Sequence, residues 1–209
     1  MAPSSKYEEL AFASGARMVA GIDEAGRGPL AGPVVAGAVI LNGFSDVPGL
    51  DDSKLLTEKK RNTLFKLILS RARSVGVGVV SPEEIDRINI FQATRMAMKI
   101  AASRLDVTPD YLLIDGPIKI DVVCAQQSII KGDRHSLSIA AASIVAKVSR
   151  DRIMWELDKE FPNYGFAKHK GYATREHQLA IKRHGPCPAH RTSFRLGPEP
   201  VQSNMFQSG

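Results

Sequence analysis

The chain has 209 residues, 44% hydrophobic and 24% charged, with a formal net charge of +6 and a pI near 9.4. That is the make-up of a soluble globular enzyme with one substantial core. Its two cysteines, Cys124 and Cys187, exclude a disulfide framework and fit a reducing compartment. The N-terminus lacks the basic-then-apolar pattern of a secretory signal. The longest near-apolar run, Pro29 to Leu41, is broken by glycine and proline and falls short of the roughly 20 residues a membrane span needs. A cytoplasmic protein with no membrane association is expected.

Residues 1–16 read as a flexible arm. Val19–Ile22 and Val34–Leu41 are predicted strands, rich in β-branched residues and bounded by Gly and Pro. The short connection Gly26 to Pro33 predicts that they are antiparallel neighbours. Thr57 is a good N-cap for a helix over 57–71, with Leu64, Leu67 and Ile68 as its apolar stripe. Ser74–Val80 is a third strand, with valines at 75, 77 and 79. Ser81-Pro82-Glu83-Glu84 is a helix start, and Ile90 to Leu105 a long helix.

Tyr111–Ile114 is a short, wholly apolar fourth strand, as expected of a central strand buried on both faces, and ends in Asp115-Gly116-Pro117. Val122–Ala125 is predicted as the fifth. Lys131-Gly132-Asp133 precedes a helix from Ser136 to about Glu160, whose first half is built of small residues that permit close backbone approach. Thr174 to His184 is a further amphipathic helix. Five strands with helices between and after them make an α/β fold on a mixed sheet flanked by helices.

Four acids occur at structural punctuation: Asp23 and Glu24 in the first strand, Asp115 ending the fourth, and Asp133 ahead of the long helix. Taken singly, each has a plain structural reading. Asp23-Glu24 could lie on the wet face of an edge strand, Asp115 could form a turn, and Asp133 could cap a helix. Carboxyl ends of strands nevertheless face the functional crevice in α/β sheets. Carboxylates converging without Cys or His suit a hard divalent ion, Mg²⁺ or Mn²⁺. Successive strand residues point to opposite faces, so Asp23 and Glu24 share one ion only if the strand ends there or Glu24 reaches around.

The positive charge is localised. Between Tyr164 and Gly197 stand seven Lys/Arg (among them Lys168, Lys182 and Arg183) against the single acid Glu176, an excess equal to that of the whole chain. A local basic surface is the footprint of a polyanion partner, although a solvated basic tail has the same composition.

Several stretches together resemble bacterial ribonuclease HII: Gly21-Ile-Asp-Glu-Ala-Gly-Arg-Gly-Pro29, Asp52-Ser-Lys54, Leu113-Ile-Asp-Gly116, Lys131-Gly-Asp133 with Ser138-Ile-Ala-Ala-Ala-Ser-Ile-Val-Ala-Lys147, and Lys170-Gly-Tyr172. They occur in that family's order over residues 18 to 195. The resemblance implies a ribonuclease H-like fold over 17–160, with a basic helical extension and tail over 161–209. It implies Asp23, Glu24, Asp115 and Asp133 as catalytic residues and ligands of two Mg²⁺ or Mn²⁺ ions. It further implies endonucleolytic cutting of RNA in RNA–DNA hybrids, and incision 5′ of single ribonucleotides in duplex DNA, by a monomer without a nucleotide cofactor.

Within that resemblance, Gly26, Arg27 and Gly28 suit contact with a ribose 2′-hydroxyl and its phosphate. Tyr172 matches the tyrosine that stacks on the sugar at the RNA–DNA junction, and Ser53, Lys54 and Lys170 are expected at the nucleic-acid backbone. Leu55 and Arg134-His135 depart from the family pattern beside two of these motifs. The related type HIII enzymes carry an extra N-terminal substrate-binding domain, which is not expected here because the first strand begins at about residue 18.

Three other readings compete. Gly26-x-Gly28-x-x-x-Gly32 has one residue too many for a dinucleotide fingerprint, and a strand follows where a helix is needed. His184-x-x-Cys187-x-x-His190 has zinc-like spacing, but two prolines interrupt it and no second cysteine pair exists. A non-catalytic nucleic-acid-binding protein would explain the basic region and leave the four acids without a role.

Overall fold

The computed structural model describes residues 3–44, 47–51, 53 and 55–195. A five-stranded sheet of order β3-β2-β1-β4-β5 forms its centre. β1 (Val19–Ala25), β2 (Val34–Ile40) and β3 (Ser74–Val80) are antiparallel neighbours, while β4 (Tyr111–Asp115) and β5 (Ala125–Ile129) run parallel to β1. The helices are α1 (Lys6–Ala13), α2 (Glu58–Arg71), α3 (Pro82–Ile88), α4 (Ile90–Ser103), α5 (Leu137–Glu160), α6 (Phe166–His169) and α7 (Arg175–His184). The expected mixed α/β sheet is therefore present.

Side-chain caps start these helices where the sequence places them. Thr57 accepts from the Lys60 amide, Ser81 from Glu84, Ser136 from Ile139 and Thr174 from His177. Asn89, at φ 68°, accepts from Phe91 and Gln92 and separates α3 from α4. On one face of the sheet α4 covers Ala20, Ile22, Ala36, Ala38, Leu112 and Ile114 through Ala93, Ala97 and Met98. On the other face α5 and α2 bury Val39 with Leu64, Phe65, Ile68, Ala141 and Val145.

α5 sits unusually close to β1. A Cβ on Gly21 would stand 2.1 Å from the carbonyl carbon of Ser138, so the strand needs glycine at that position. The small residues that open α5 supply the other half of this approach. That contact sets where the helix, and the turn in front of it, lie relative to the acids of β1.

Two expected elements differ. Over residues 1–16, where the sequence suggests an arm without structure, Lys6–Ala13 forms α1 and buries Ala11 against Val19, Leu113 and Ile139. The strand expected at Val122–Ala125 begins only at Ala125 and runs to Ile129. The apolar run misleads because β5 is an edge strand that tolerates Gln126, Gln127 and Ser128. Val122 and Cys124 instead pack from a loop against the core, and Val123 is fully exposed. The Gln126 amide holds that loop, donating to the Ile120 carbonyl and accepting from its N–H.

Candidate active site

Asp23 and Asp115 lie where the pairing between two neighbouring parallel strands stops. β1 and β4 pair as far as Ile22 and Ile114, and the next residue of each is the acid. Beyond that point β1 continues, paired only with β2, through Glu24 and Ala25. The strand thus does not end at Asp23. Glu24 still lines the same cleft of about 200 Å³ as Asp23, together with Gly26, Arg27, Gly28, Ser53, Ser143, Lys147, Arg150 and Tyr172.

Asp23 is 5% exposed. Burial pushes its carboxyl well above the usual carboxylate range, and repulsion from Glu24 and Asp115 adds to the rise. Hydrogen bonds from the Ser143 side chain and the Glu24 amide oppose that rise; the amide lies 2.7 Å from Oδ1. Ser143 also shares a 2.8 Å hydrogen bond with Ser53. Ser53 therefore reaches Asp23 through α5, a buried linkage the sequence does not announce.

The Asp133 turn is built around the Asp115 carboxylate. Lys131 adopts a left-handed φ of 55°, Gly132–Arg134 forms one 3₁₀ turn, and the Gly132 amide donates to Asp115 Oδ1 at 2.5 Å. Asp133, itself 4% exposed, is the next residue. The structure thus brings the turn of Asp133 onto Asp115, and Asp115 into electrostatic range of Asp23. Among the described residues, no three His, Cys, Asp or Glu side chains already form a closed metal-binding group. The donors nonetheless fit a hard divalent cation, being carboxylate oxygens whose mutual repulsion a cation would relieve.

The glycine-arginine-glycine turn is held from behind by two buried guanidinium groups. Arg191 donates to the carbonyls of Gly26 at 2.6 Å, Arg27 at 3.0 Å and Gly32 at 2.8 and 2.9 Å. Arg150 donates to Pro33, Ala31 and Lys170 at 3.0, 3.1 and 3.0 Å. Gly26 takes φ 97°, and a Cβ there would lie 2.0 Å from Arg150 Nε. With their carbonyls turned inward to Arg191, Gly26 and Arg27 present the other edge of the turn to the cleft. Burial, and then the nearby Arg150, lower Arg191 to about 9, so it stays charged at neutral pH.

Neither arginine was legible as part of the site. Arg191 counts among the seven basic residues of the C-terminal region, yet it is wholly buried. What brings it to the turn is tertiary: the Gly32 amide donates to the carbonyl of Ala189, two residues before Arg191. The exposed Arg27 bridges to Glu24 at 3.4 Å. Lys168 pairs with Glu176 at 2.8 Å.

Tyr172, 47% exposed, projects beside Gly28, from which a Cβ would meet its ring at 3.8 Å. Its loop is pinned at three points. The Leu30 amide donates to Gly171, Arg150 to Lys170, and His177 Nδ1 to the Tyr172 carbonyl at 2.9 Å. The half-buried Lys170 turns its ammonium to the Ala167 carbonyl, with Trp155 alongside. Lys54 lies outside the described residues. The zinc-like trio does not assemble: His184 is exposed at the end of α7, while Cys187 and His190 bond each other inside the fold.

Comparison with known proteins identifies the family. The family model described as Ribonuclease HII matches residues 20–196. A ribonuclease HII of Geobacter metallireducens is 58% identical over 90% of this chain and 89% of its own length. That of Acetivibrio thermocellus is 56% identical over 90% of this chain and 73% of the relative. Among solved structures, the ribonuclease HII of an Archaeoglobus fulgidus complex with PCNA superposes with a TM-score of 0.75 at 26% identity, covering 88% of this chain and 98% of that one. Fold, motif order and family match together make this chain a member of the ribonuclease HII family, an endonuclease that cuts the RNA of RNA–DNA hybrids.

Proposed function

We propose that the chain also incises duplex DNA on the 5′ side of a single embedded ribonucleotide, leaving 3′-hydroxyl and 5′-phosphate ends. Asp23, Glu24, Asp115 and Asp133 would hold two divalent ions, Mg²⁺ or Mn²⁺. Such ions, when bound, activate water and neutralise the leaving oxygen of an in-line displacement. Residues 17–160 are the catalytic body in this reading, and 161–209 a basic extension for the nucleic-acid backbone.

The remaining roles belong to the polypeptide. Gly26 and Gly28 let backbone approach a ribose and hydrogen-bond its 2′-hydroxyl, the group that separates RNA from DNA. Arg27 exchanges its Glu24 partner for a phosphate. Tyr172 stacks on the sugar beside the junction, and its loop sets the distance between stacking and cutting. Ser53, Lys54 and Lys170 contact flanking phosphates, Ser53 from a hydroxyl shared with Ser143. The carboxylate set excludes other anions until cations are present.

The observation that carries this reading is one cleft lined by two of the acids, the glycine turn, Ser53 and Tyr172. Polyanion cleavage and ribose discrimination thereby share one surface. The test is a duplex with one ribonucleotide, incubated with and without Mg²⁺ and with the product ends mapped. Metal-dependent cutting on the 5′ side supports the reading. Cleavage confined to long hybrids would remove the single-ribonucleotide activity, and cleavage without metal would remove the ion site.

A further inference from the structure

Glu8 of α1 has no part in the reaction described above, yet it is 1% exposed. Its Oε1 accepts three hydrogen bonds at the start of α5: from Ser136 Oγ at 2.5 Å, Ser138 N at 2.8 Å and Ser138 Oγ at 2.6 Å. Its Oε2 is buried without a hydrogen-bond partner. A buried carboxylate is costly, and the helix N-terminus offsets only part of that cost. It is not the only tie of α1, because Tyr7 and Ala11 also pack on Val19, Leu113, Ile129 and Ile139. Glu9, one residue on, is exposed and merely accepts from Ser5.

The main chain grips the same place. The Ser4 amide donates to the His135 carbonyl and the Leu137 amide to Ser4, each at 3.3 Å, in a parallel bridge opposite Ser136. From Ser136 the bonding continues inward. Its amide donates to the Gly132 carbonyl at 2.8 Å, and the Gly132 amide donates to Asp115 Oδ1 at 2.5 Å. An unbroken series of hydrogen bonds thus joins Glu8 to Asp115 through the turn that carries Asp133.

We propose that Glu8 is a positioning residue for the acidic site. Together with Ser4 it forms a clasp that fixes the Asp133 turn and the amide orienting Asp115. The proposal rests on reading Asp115 and Asp133 as cation ligands. Its function is preorganisation: two carboxylates from separate elements must be held at one spacing before an ion arrives, and the ion then meets less reorganisation cost.

The test uses the full chain with Glu8→Ala, the isosteric Glu8→Gln, Ser138→Ala from the opposite side of the same contact, and Glu9→Gln as control. Calorimetric Mn²⁺ binding, the Mg²⁺ concentration for half-maximal hybrid cleavage, substrate KM and thermal midpoint are measured for each. Glu8→Ala should weaken Mn²⁺ binding and raise the Mg²⁺ midpoint by about tenfold, in the range found for residues that orient ligands. Hybrid KM should change by less than about twofold, because the substrate-binding turn is untouched. Glu8→Gln and Ser138→Ala should shift the same quantities in the same direction by less, and Glu9→Gln should match wild type.

Wild-type Mn²⁺ binding and Mg²⁺ response in the Glu8 and Ser138 variants would overturn the proposal, even with a lowered thermal midpoint, and would leave α1 a brace alone. Should Glu8→Ala not fold, Glu8→Gln and Ser138→Ala decide by the same readouts. Asp133→Asn separates the two levels. If it retains metal binding and cleavage, the ligand reading fails; if it loses both while the Glu8 variants stay normal, only the clasp fails.

Discussion

The Asp115 carboxylate accepts the Gly132 amide at 2.5 Å, so the last residue of β4 fastens the turn whose next residue is Asp133. Residues 17 positions apart are thereby locked together by one short hydrogen bond. The same turn fixes the start of α5, which lies against Gly21 two residues before Asp23. Asp115 and the turn of Asp133 are thus held by the backbone itself.

Asp23→Asn should abolish cleavage, by about 10³-fold or more, while hybrid binding persists, because a ligand loses its charge but not its shape. It should also stabilise the metal-free protein at neutral pH. The folded carboxyl is raised by burial, Glu24 and Asp115, so its contribution to stability is complete below its unfolded value of 3.8 and is lost as pH rises through the folded one. Urea midpoints with chelator present, compared across pH with wild type, check this. A variant less stable than wild type at neutral pH would contradict it.

Arg191→Lys should lower stability by about 2–3 kcal/mol, since an ammonium cannot reach the carbonyls of Gly26, Arg27 and Gly32 at once and leaves buried acceptors unsatisfied. With the turn loosened, the ratio of cutting at a ribonucleotide to cutting at matched DNA should fall. Parallel kinetics on the two duplexes measure it, and an unchanged ratio would disconnect Arg191 from ribose selection.

Tyr172→Ala should reduce incision at a single ribonucleotide by roughly 10–100-fold, the scale of one stacking contact worth about 1–3 kcal/mol. Long hybrids offer many registers and should suffer less. Equal losses on both substrates would remove the stacking role.

His177 and His190 predict acid sensitivity of the Tyr172 loop. His177 Nδ1 donates to Tyr172, so its Nε2 accepts from His190 Nε2 at 3.1 Å, and His190 Nδ1 accepts from the Cys187 amide. Both rings are neutral in this network. Burial lowers His177 to about 4, with His169 and His190 adding repulsion. The unfolded ring binds protons below its ordinary 6.5, so this contribution is complete above that pH and is lost as pH falls toward 4. Stability of His177→Gln should vary less with pH over this window than that of wild type, measured against the opposing contribution of Asp23.

The sequence by itself determined the elements that depend on local rules. Thr57, Ser81, Ser136 and Thr174 each cap the helix they precede, and valine spacing marks β3, because capping and alternation act within a few residues. The family motifs likewise lie in contiguous stretches around Asp23, Asp115, Asp133 and Tyr172. Only the tertiary structure decided what joins those stretches. β5 escaped because an edge strand needs few apolar residues, and α1 because the partners of its Ala11 and Glu8, among them Leu113, Ile139, Ser136 and Ser138, are distant in sequence. Arg191 reads as part of a basic surface and Arg150 carries no signal in the sequence, yet both are buried because carbonyls distant in sequence converge on them. Such contacts leave no periodicity in the residues that make them, so no local pattern announces them.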